Sequence, residues 1–275
     1  MLKSSPCSYN CLMNESMQKW CDQILEKRGH AHRKIWEWCF ISQALYERNM
    51  LRVGTKGLGF AVGQEPLVSL FAKYGCKILA TDLDIEKTAD SSTGWIKTNE
   101  HSDSLKDLNR RNICEEEKFN SNAKFMYVDM TDIPKSLKNY DFCWSACAFE
   151  HLGSIQKGKQ FIYDMIECLK PGGIAVHTTE YNVSSNIDTV DNNCDVLFRR
   201  CDFEEIADNF KSKGHKLELT FSLGNTEYDY YIDKPPYKHD PHLKFQYGDY
   251  ISTSYGLIIK KKEKMWKRFL HFNNL

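Results

Sequence analysis

The 275-residue chain has no excess of charge of either sign: 37 Lys and Arg stand against 37 Asp and Glu. Proteins whose main partner is nucleic acid usually carry a net positive field toward phosphates, so this balance disfavours a nucleic acid substrate. No apolar run approaches the roughly 20 residues needed to cross a bilayer, and the opening MLKSSPCSYN has no apolar signal core. The expectation is a soluble, cytoplasmic protein without a transmembrane segment. The eleven cysteines contain no CxxC spacing, which removes the commonest zinc and dithiol patterns. Several, such as Cys143 and Cys147 in DFCWSACAF, fall inside apolar runs and read as buried free thiols. Cys7 and Cys11 lie close together, and a redox or metal role stays open for them.

What is present begins at GLGFAVGQEPLVSLFAKYGCKILATDLD, Gly57 to Asp84. Gly57, Gly59 and Gly63 make a turn in which backbone can approach a ligand closely, because no Cβ intervenes. Leu67, Leu70, Phe71 and Tyr74 recur at helical spacing, predicting a helix over residues 65–74 that Gly75 ends. Ile78 to Ala80 form a short strand, and Asp82 follows at its carboxyl end, about 20 residues from the turn, where a carboxylate accepts from ribose hydroxyls. The order is that of a mononucleotide-binding βαβ half. The spacing departs from the dinucleotide pattern GxGxxG, so the motif alone also fits an ordinary strand-to-helix turn.

Periodicity extends the pattern along a length that one core can serve. Residues 13–50 read as two helices forming a cap. A polar stretch over residues 86–122 contains Trp95, an aromatic that either stacks on a ligand or anchors the loop. Strands are expected at Phe125 to Val128, Tyr140 to Ala146, Ile174 to Thr178, Lys216 to Ser222 and Ser252 to Lys260. Helices are expected before Pro171-Gly172-Gly173 and over Asp202 to Lys213. An insertion occupies about residues 224–250, and a basic tail with Trp266, Phe269 and Leu270 interleaved occupies residues 261–275. That tail suits either an anionic membrane surface or ordinary packing.

Four strings in this order, GLGFAVG, ATDLD, YVDMTDIP and DFCWSACAFEHL followed by LKPGG, resemble the class I S-adenosylmethionine-dependent methyltransferases over roughly Leu51 to Lys260. The resemblance implies an α/β, Rossmann-like, seven-stranded and mostly parallel sheet with an antiparallel last strand, with residues 1–50 as a helical N-terminal cap and residues 51–260 as the methyltransferase domain. It implies S-adenosyl-L-methionine as cofactor. Gly59, Ala61 and Gly63 would form its glycine turn, Asp82 would hold the ribose, Leu83 would pack on the adenine, and Asp129 and Met130 would meet the adenine edge. Ser145 and Ala146 would line the cleft floor. Two departures stand out: Ala61 replaces a glycine, and Gly57 replaces the family's acid, for which Glu65 is the nearest substitute. RVGTKGLGFAVGQEPL, AFEHLGS and AVHTTEYNVSSN are similar to a largely uncharacterised bacterial group associated with surface polysaccharide and sugar modification. The implied activity is O-methylation of a sugar or sugar-nucleotide hydroxyl. A non-catalytic S-adenosylmethionine binder and a nicotinamide oxidoreductase are the alternatives.

Methyl transfer to a hydroxyl needs an aligned acceptor and a base at the carboxyl ends of the strands. His177 and Glu180 in HTTEYN are expected there as base or substrate ligand and its orienting partner, and Glu150 and His151 after the preceding strand are further candidates. His177 reads equally as a satisfied core histidine. Tyr237 and His242 in the insertion, with Trp95, are candidate substrate contacts, since aromatic faces and polar acceptors suit a carbohydrate. His177, Glu180, His239, Asp240 and His242 match no established metal spacing, and no metal is assigned.

Overall fold

The computed structural model describes residues 1–84, 101–102 and 104–264. Trp95 and the aromatic residues of the basic tail lie outside these described residues. The centre of the fold is one sheet. Strands β2 (Lys56–Gly59), β3 (Lys77–Asp82), β4 (Ala123–Tyr127), β5 (Tyr140–Ala146) and β6 (Leu169–Asn182) run parallel in the order β6-β5-β2-β3-β4. Strand β9 (Tyr250–Lys260) lies antiparallel against β6, in register from Ile174 with Lys260 to Asn182 with Ser252.

Three short strands tile the other side of β9: β7 (Lys216–Leu217), β1 (Ser5–Pro6) and β8 (Lys244–Tyr247). The expected strand over residues 216–222 therefore pairs with β9 for only two residues. The reason is that the N-terminal segment takes the edge next to it: Ser4 O accepts from Thr220 N at 2.9 Å, and Pro6 faces Tyr255. A proline is tolerated at such an outer position because no further strand needs its missing N–H. The insertion also joins the sheet through β8, so the seven-strand expectation becomes nine strands, still mostly parallel at the centre with β9 antiparallel.

Alternation along the strands sends side chains to two cores. Phe142 and Trp144 of β5 pack on Phe71 of helix α4 (Leu67–Lys73), with ring centroids 5.7 and 5.0 Å away. The same face receives the cap helices α2 (Glu15–Gln23) and α3 (Arg33–Glu47), which follow a short first helix α1 (Tyr9–Leu12). Cys143 points to the opposite face, among residues of α6 (Ile155–Met165) and α7 (Arg200–Ser212); α5 (Glu116–Asn122) precedes β4. Helix α3 lies across β5, β6 and β9, with Trp36 and Phe40 fully buried. Its first turn is fixed by His32, whose Nδ1 accepts from Lys34 N at 3.1 Å. That cap brings residues 33–37 over the carboxyl ends of the strands. All eleven cysteines are free thiols, Cys7 buried and Cys11 half-buried.

Gly57, where the resemblance leads one to expect an acid, is a packing requirement. A Cβ there would stand 2.4 Å from Phe142 Cζ and 2.8 Å from Ile78 Cδ1. Gly57→Ala should destabilise by about 1–3 kcal/mol through overpacking, seen as a lower urea midpoint with unchanged slope. Parental stability in this variant would mean that the Phe142 ring yields to the added methyl.

Candidate functional site

Strand order reverses between β2 and β5, and a cleft opens there at the carboxyl ends of the strands. The turn after β2 is pinned on both sides: Phe60 N donates to Trp144 O at 2.9 Å and Val62 N to Thr81 O at 3.0 Å. Ala61 holds φ 43° and Gly63 φ 51°, so the turn keeps left-handed backbone even where a methyl replaces the glycine hydrogen. Asp82 is fully buried at the end of β3. Its Oδ2 accepts from Gly63 N and Ser102 N, both at 3.1 Å, and its Oδ1 from Leu83 N at 2.9 Å. The expected ribose acid thus also ties the turn to the following strand.

Ala61, Asp82, Leu83, Val128, Asp129, Met130, Ala148, His151 and Leu152 line one small pocket. Asp129 Oδ1 is committed to a turn, accepting from Thr131 N and Oγ1 at 2.7 Å each. His151 also lines a second, larger cleft of about 670 Å³, together with Gly63 and Glu65 from the turn, Arg33, Lys34 and Trp38 from α3, and Cys147, Glu150 and Glu180. Residues Asp195, Phe245 and Tyr247 close its far wall. His151 is the residue common to both.

The cleft floor is a buried ion cluster. Arg33 Nη1 lies 2.6 Å from Glu180 Oε1 and 3.1 Å from Glu37 Oε1, and its guanidinium covers the Phe245 ring at 4.7 Å. Lys34 Nζ lies 2.8 Å from Glu37 Oε2, an ion pair without hydrogen-bond alignment, and 3.6 Å from Glu65 Oε1. Ser254 Oγ donates to Glu37 at 2.5 Å and Ser252 Oγ to Glu180 at 2.6 Å. Burial works against both cations, but the facing carboxylates outweigh it and hold them protonated.

Above that floor the titratable groups are tuned differently. Glu150 has no exposed surface; its Oε2 accepts from Thr179 Oγ1 at 3.0 Å and its Oε1 has no partner. Burial, aided by the nearby Glu180 charge and opposed by His151, pushes its carboxyl up to about 7. His151 Nδ1 meets Asp195 Oδ1 at 2.7 Å, and Tyr247 OH donates to Asp195 Oδ2 at 3.0 Å. Burial disfavours the imidazolium, yet the Asp195 bond and the charges of Glu150 and Asp195 raise the His151 pKa above its ordinary value.

Other candidate residues from the sequence lie elsewhere. His177 corrects the favoured base: it is fully buried, its Nδ1 bonds Ser145 Oγ at 2.8 Å, and it lies edge-on to Phe161 with centroids 5.6 Å apart. Strand alternation is the reason, since His177 and Glu180, three apart, face opposite sides of the sheet. Burial lowers the His177 pKa to about 3, keeping it neutral, and neither it nor Ser145 lines the cleft. His242 is buried against Asp233 at 2.7 Å and stacks on Phe245, while Tyr237 donates to Gln246 O at 2.7 Å; neither expected substrate contact lines the cleft. His239, Asp240 and His242 join no metal-sized cluster with Glu180; among the described residues the group that does gather is Cys147, Glu150 and Glu180. Sequence reasoning passed over Arg33, Lys34, Glu37, Asp195, Phe245 and Tyr247. The i, i+4 pair Arg33 and Glu37 at the start of an apolar helix was the available signal.

No protein-family model matches the chain, and no curated protein matches it. Solved structures do. The (4+2)-cyclase SpnF aligns with TM-score 0.55 and 12% identity over 95% of this chain and 100% of its own. A proposed sarcosine dimethylglycine methyltransferase from Galdieria sulphuraria aligns with TM-score 0.50 and 15% identity over 91% of this chain and 99% of its own. At these identities the likeness is one of fold: a Rossmann-like α/β sheet of the methyltransferase type, mostly parallel with an antiparallel strand. The first of these structures is named as a cyclase, so the reaction has to be argued from the site.

The ion cluster makes stability depend on acid. Burial raises the Glu37 carboxyl, but Lys34, Arg33 and the Ser254 bond outweigh it and hold it at about 2 against an ordinary 4.5. A depressed carboxylate contributes stability above its unfolded pKa and loses it as pH falls toward the folded one. Urea stability should therefore drop by on the order of 3 kcal/mol between about pH 5 and pH 2 through this group. Glu37→Gln should be less stable at neutral pH and flatter over that window. An unchanged slope in the variant would remove Glu37 from the account.

Proposed function

We propose that this chain is an S-adenosylmethionine-dependent methyltransferase that methylates a hydroxyl of a polar small molecule, a sugar or sugar nucleotide being the class favoured. The observation that carries the reading is the position of His151, at the junction of an apolar-walled pocket with a polar cleft and bonded to Asp195.

The residues present fit the cofactor. Leu83, Val128, Met130 and Leu152 offer an apolar wall suited to a purine face, with the Asp82 and Asp129 carboxylates in the same lining. Beyond Gly63 the cleft presents Glu65 and Lys34, charges of both signs that suit an amino acid's ammonium and carboxylate. Glu65 thus stands in for the acid that packing forbids at Gly57. When bound, S-adenosylmethionine supplies an electrophilic methyl on a sulfonium.

The chain's own contribution is positioning and proton transfer. Asp195 holds the Nδ1 side of His151, directing Nε2 to act as the base for the acceptor hydroxyl. Tyr247 fixes the second oxygen of Asp195, so the carboxylate orients the ring and stabilises the imidazolium formed. Trp38 and Tyr247 provide rings, and Glu150 and Glu180 provide acceptors, around the space for a polyhydroxylated acceptor.

Turnover of S-adenosylmethionine to S-adenosylhomocysteine across a panel of sugars tests this directly. His151→Gln should lower kcat by about 10²–10⁴-fold while leaving S-adenosylhomocysteine affinity within a few-fold. The active base is neutral, so the rate should rise with pH through a value above histidine's ordinary 6.5. Asp195→Asn should slow the reaction and move that rise to lower pH, because the negative charge that favours the imidazolium is gone. Full turnover in His151→Gln, or preferential binding of NAD, would overturn the proposal.

A further inference from the structure

Four carboxyl groups (Glu65, Glu150, Glu180 and Asp195) and four permanent cations (Arg33, Lys34, Arg110 and Arg111) line the cleft, but their pairing leaves Glu150 out. Arg33 is shared by Glu37 and Glu180, and Lys34 by Glu37 and Glu65. Asp195 is taken by His151 and Tyr247. Glu150 has no salt-bridge partner among the described residues, and its buried Oε1 accepts no hydrogen bond. A buried carboxyl oxygen left this way lacks the hydrogen-bond donor that would offset its lost hydration. Glu150 is buried and belongs to the lining of the cleft.

The groups gathered around the Glu150 carboxyl define the donor. The Cys147 sulfur, one Glu150 oxygen and one Glu180 oxygen lie within 4.8 Å of one another. A tetrahedral ammonium with acceptors at about 2.9 Å spans acceptors roughly 4.7 Å apart, so one nitrogen with three N–H bonds reaches all three. A divalent metal ion suits the cluster less well. Arg33 Nη1 already sits 2.6 Å from Glu180 and 3.8 Å from Cys147 Sγ, and its repulsion doubles against a doubly charged ion. Burial and the neighbouring Glu150 and Glu37 charges raise the Cys147 thiol pKa well above its ordinary value, so it meets a ligand as a weak neutral acceptor.

We propose that Cys147, Glu150 and Glu180 form a subsite for a primary ammonium group, which makes the acceptor an amino-bearing sugar or polyol. This rests on the methyltransferase reading above: the amine is held here and a hydroxyl of the same molecule is presented to His151. Charge and donor number both contribute to selectivity. An acetylated amine loses the charge and two of the three donors, and a hydroxyl in its place offers one.

Calorimetric titration of the full chain with glucosamine, glucose and N-acetylglucosamine, at saturating S-adenosylhomocysteine, tests the assignment. Glucosamine should bind at least about tenfold more tightly than either control, and Glu150→Gln should erase that preference while S-adenosylhomocysteine still binds. Equal affinities, no measurable glucosamine binding, or a preference that survives Glu150→Gln would each overturn the ammonium site. So would a requirement for added Zn²⁺ or Mg²⁺. The ranking of the three sugars by the unaltered protein decides the matter even if Glu150→Gln fails to fold. Loss of S-adenosylhomocysteine binding in the unaltered protein, with the glucosamine preference intact, would sink the methyltransferase reading and leave the amine site standing.

Discussion

The bridge from Arg33 to Glu37 and Glu180 joins the two parts of the molecule that matter most for function. Arg33 and Glu37 belong to the cap helix, Glu180 to the end of the fifth parallel strand, and Ser254 and Ser252 of the antiparallel strand bond the carboxylates from below. The same guanidinium lies over Phe245 of the insertion. Removing one member of such a buried cluster leaves charge without compensation, a larger cost than the net strength of the pairs. Helix placement, strand edge and insertion are therefore mutually dependent, and the cleft is shaped by that dependence.

Around this bridge the cleft is divided chemically. One side is built from backbone: the turn after β2, held by Asp82 and by hydrogen bonds to neighbouring strands, with an apolar pocket beyond it. The other side is built from side chains whose protonation is tuned by burial and by each other, namely Glu150, His151 and Asp195. Asp195 is held below the usual carboxylate range, foremost by its bond to His151, so that a fixed anion stands behind the ring. The two sides are thus held by different means, the first by backbone hydrogen bonds and the second by charge.

Much of this was legible in the chain. The glycine turn, the short helix after it, Asp82 at a strand end, and the order of strands and helices through LKPGG could all be read from periodicity, because strands and helices impose repeats of two and 3.6 residues on neighbours in sequence. His151 and Glu180 were among the candidate residues, and both line the cleft. His177 was equally visible and went to the wrong side of the sheet for chemistry. HTTEYN carries several polar residues in succession, and alternation sends some of them inward, so composition there did not reveal which face was wet.

The sequence by itself determined the local elements and the residues able to carry charge or a proton. Tertiary structure decided which of them meet. Lys34 and Glu65, His151 and Asp195, and Tyr247 and Asp195 come from separate elements and share no short-range pattern. They are brought together by strand order at the switch point and by three short segments competing for the free edge of β9. Local propensity has no bearing on that competition, since it is settled by which backbone groups can pair with an open strand edge once the core has formed. The fold could be read in advance for that reason, whereas the occupants of the cleft became visible only after every edge had been filled.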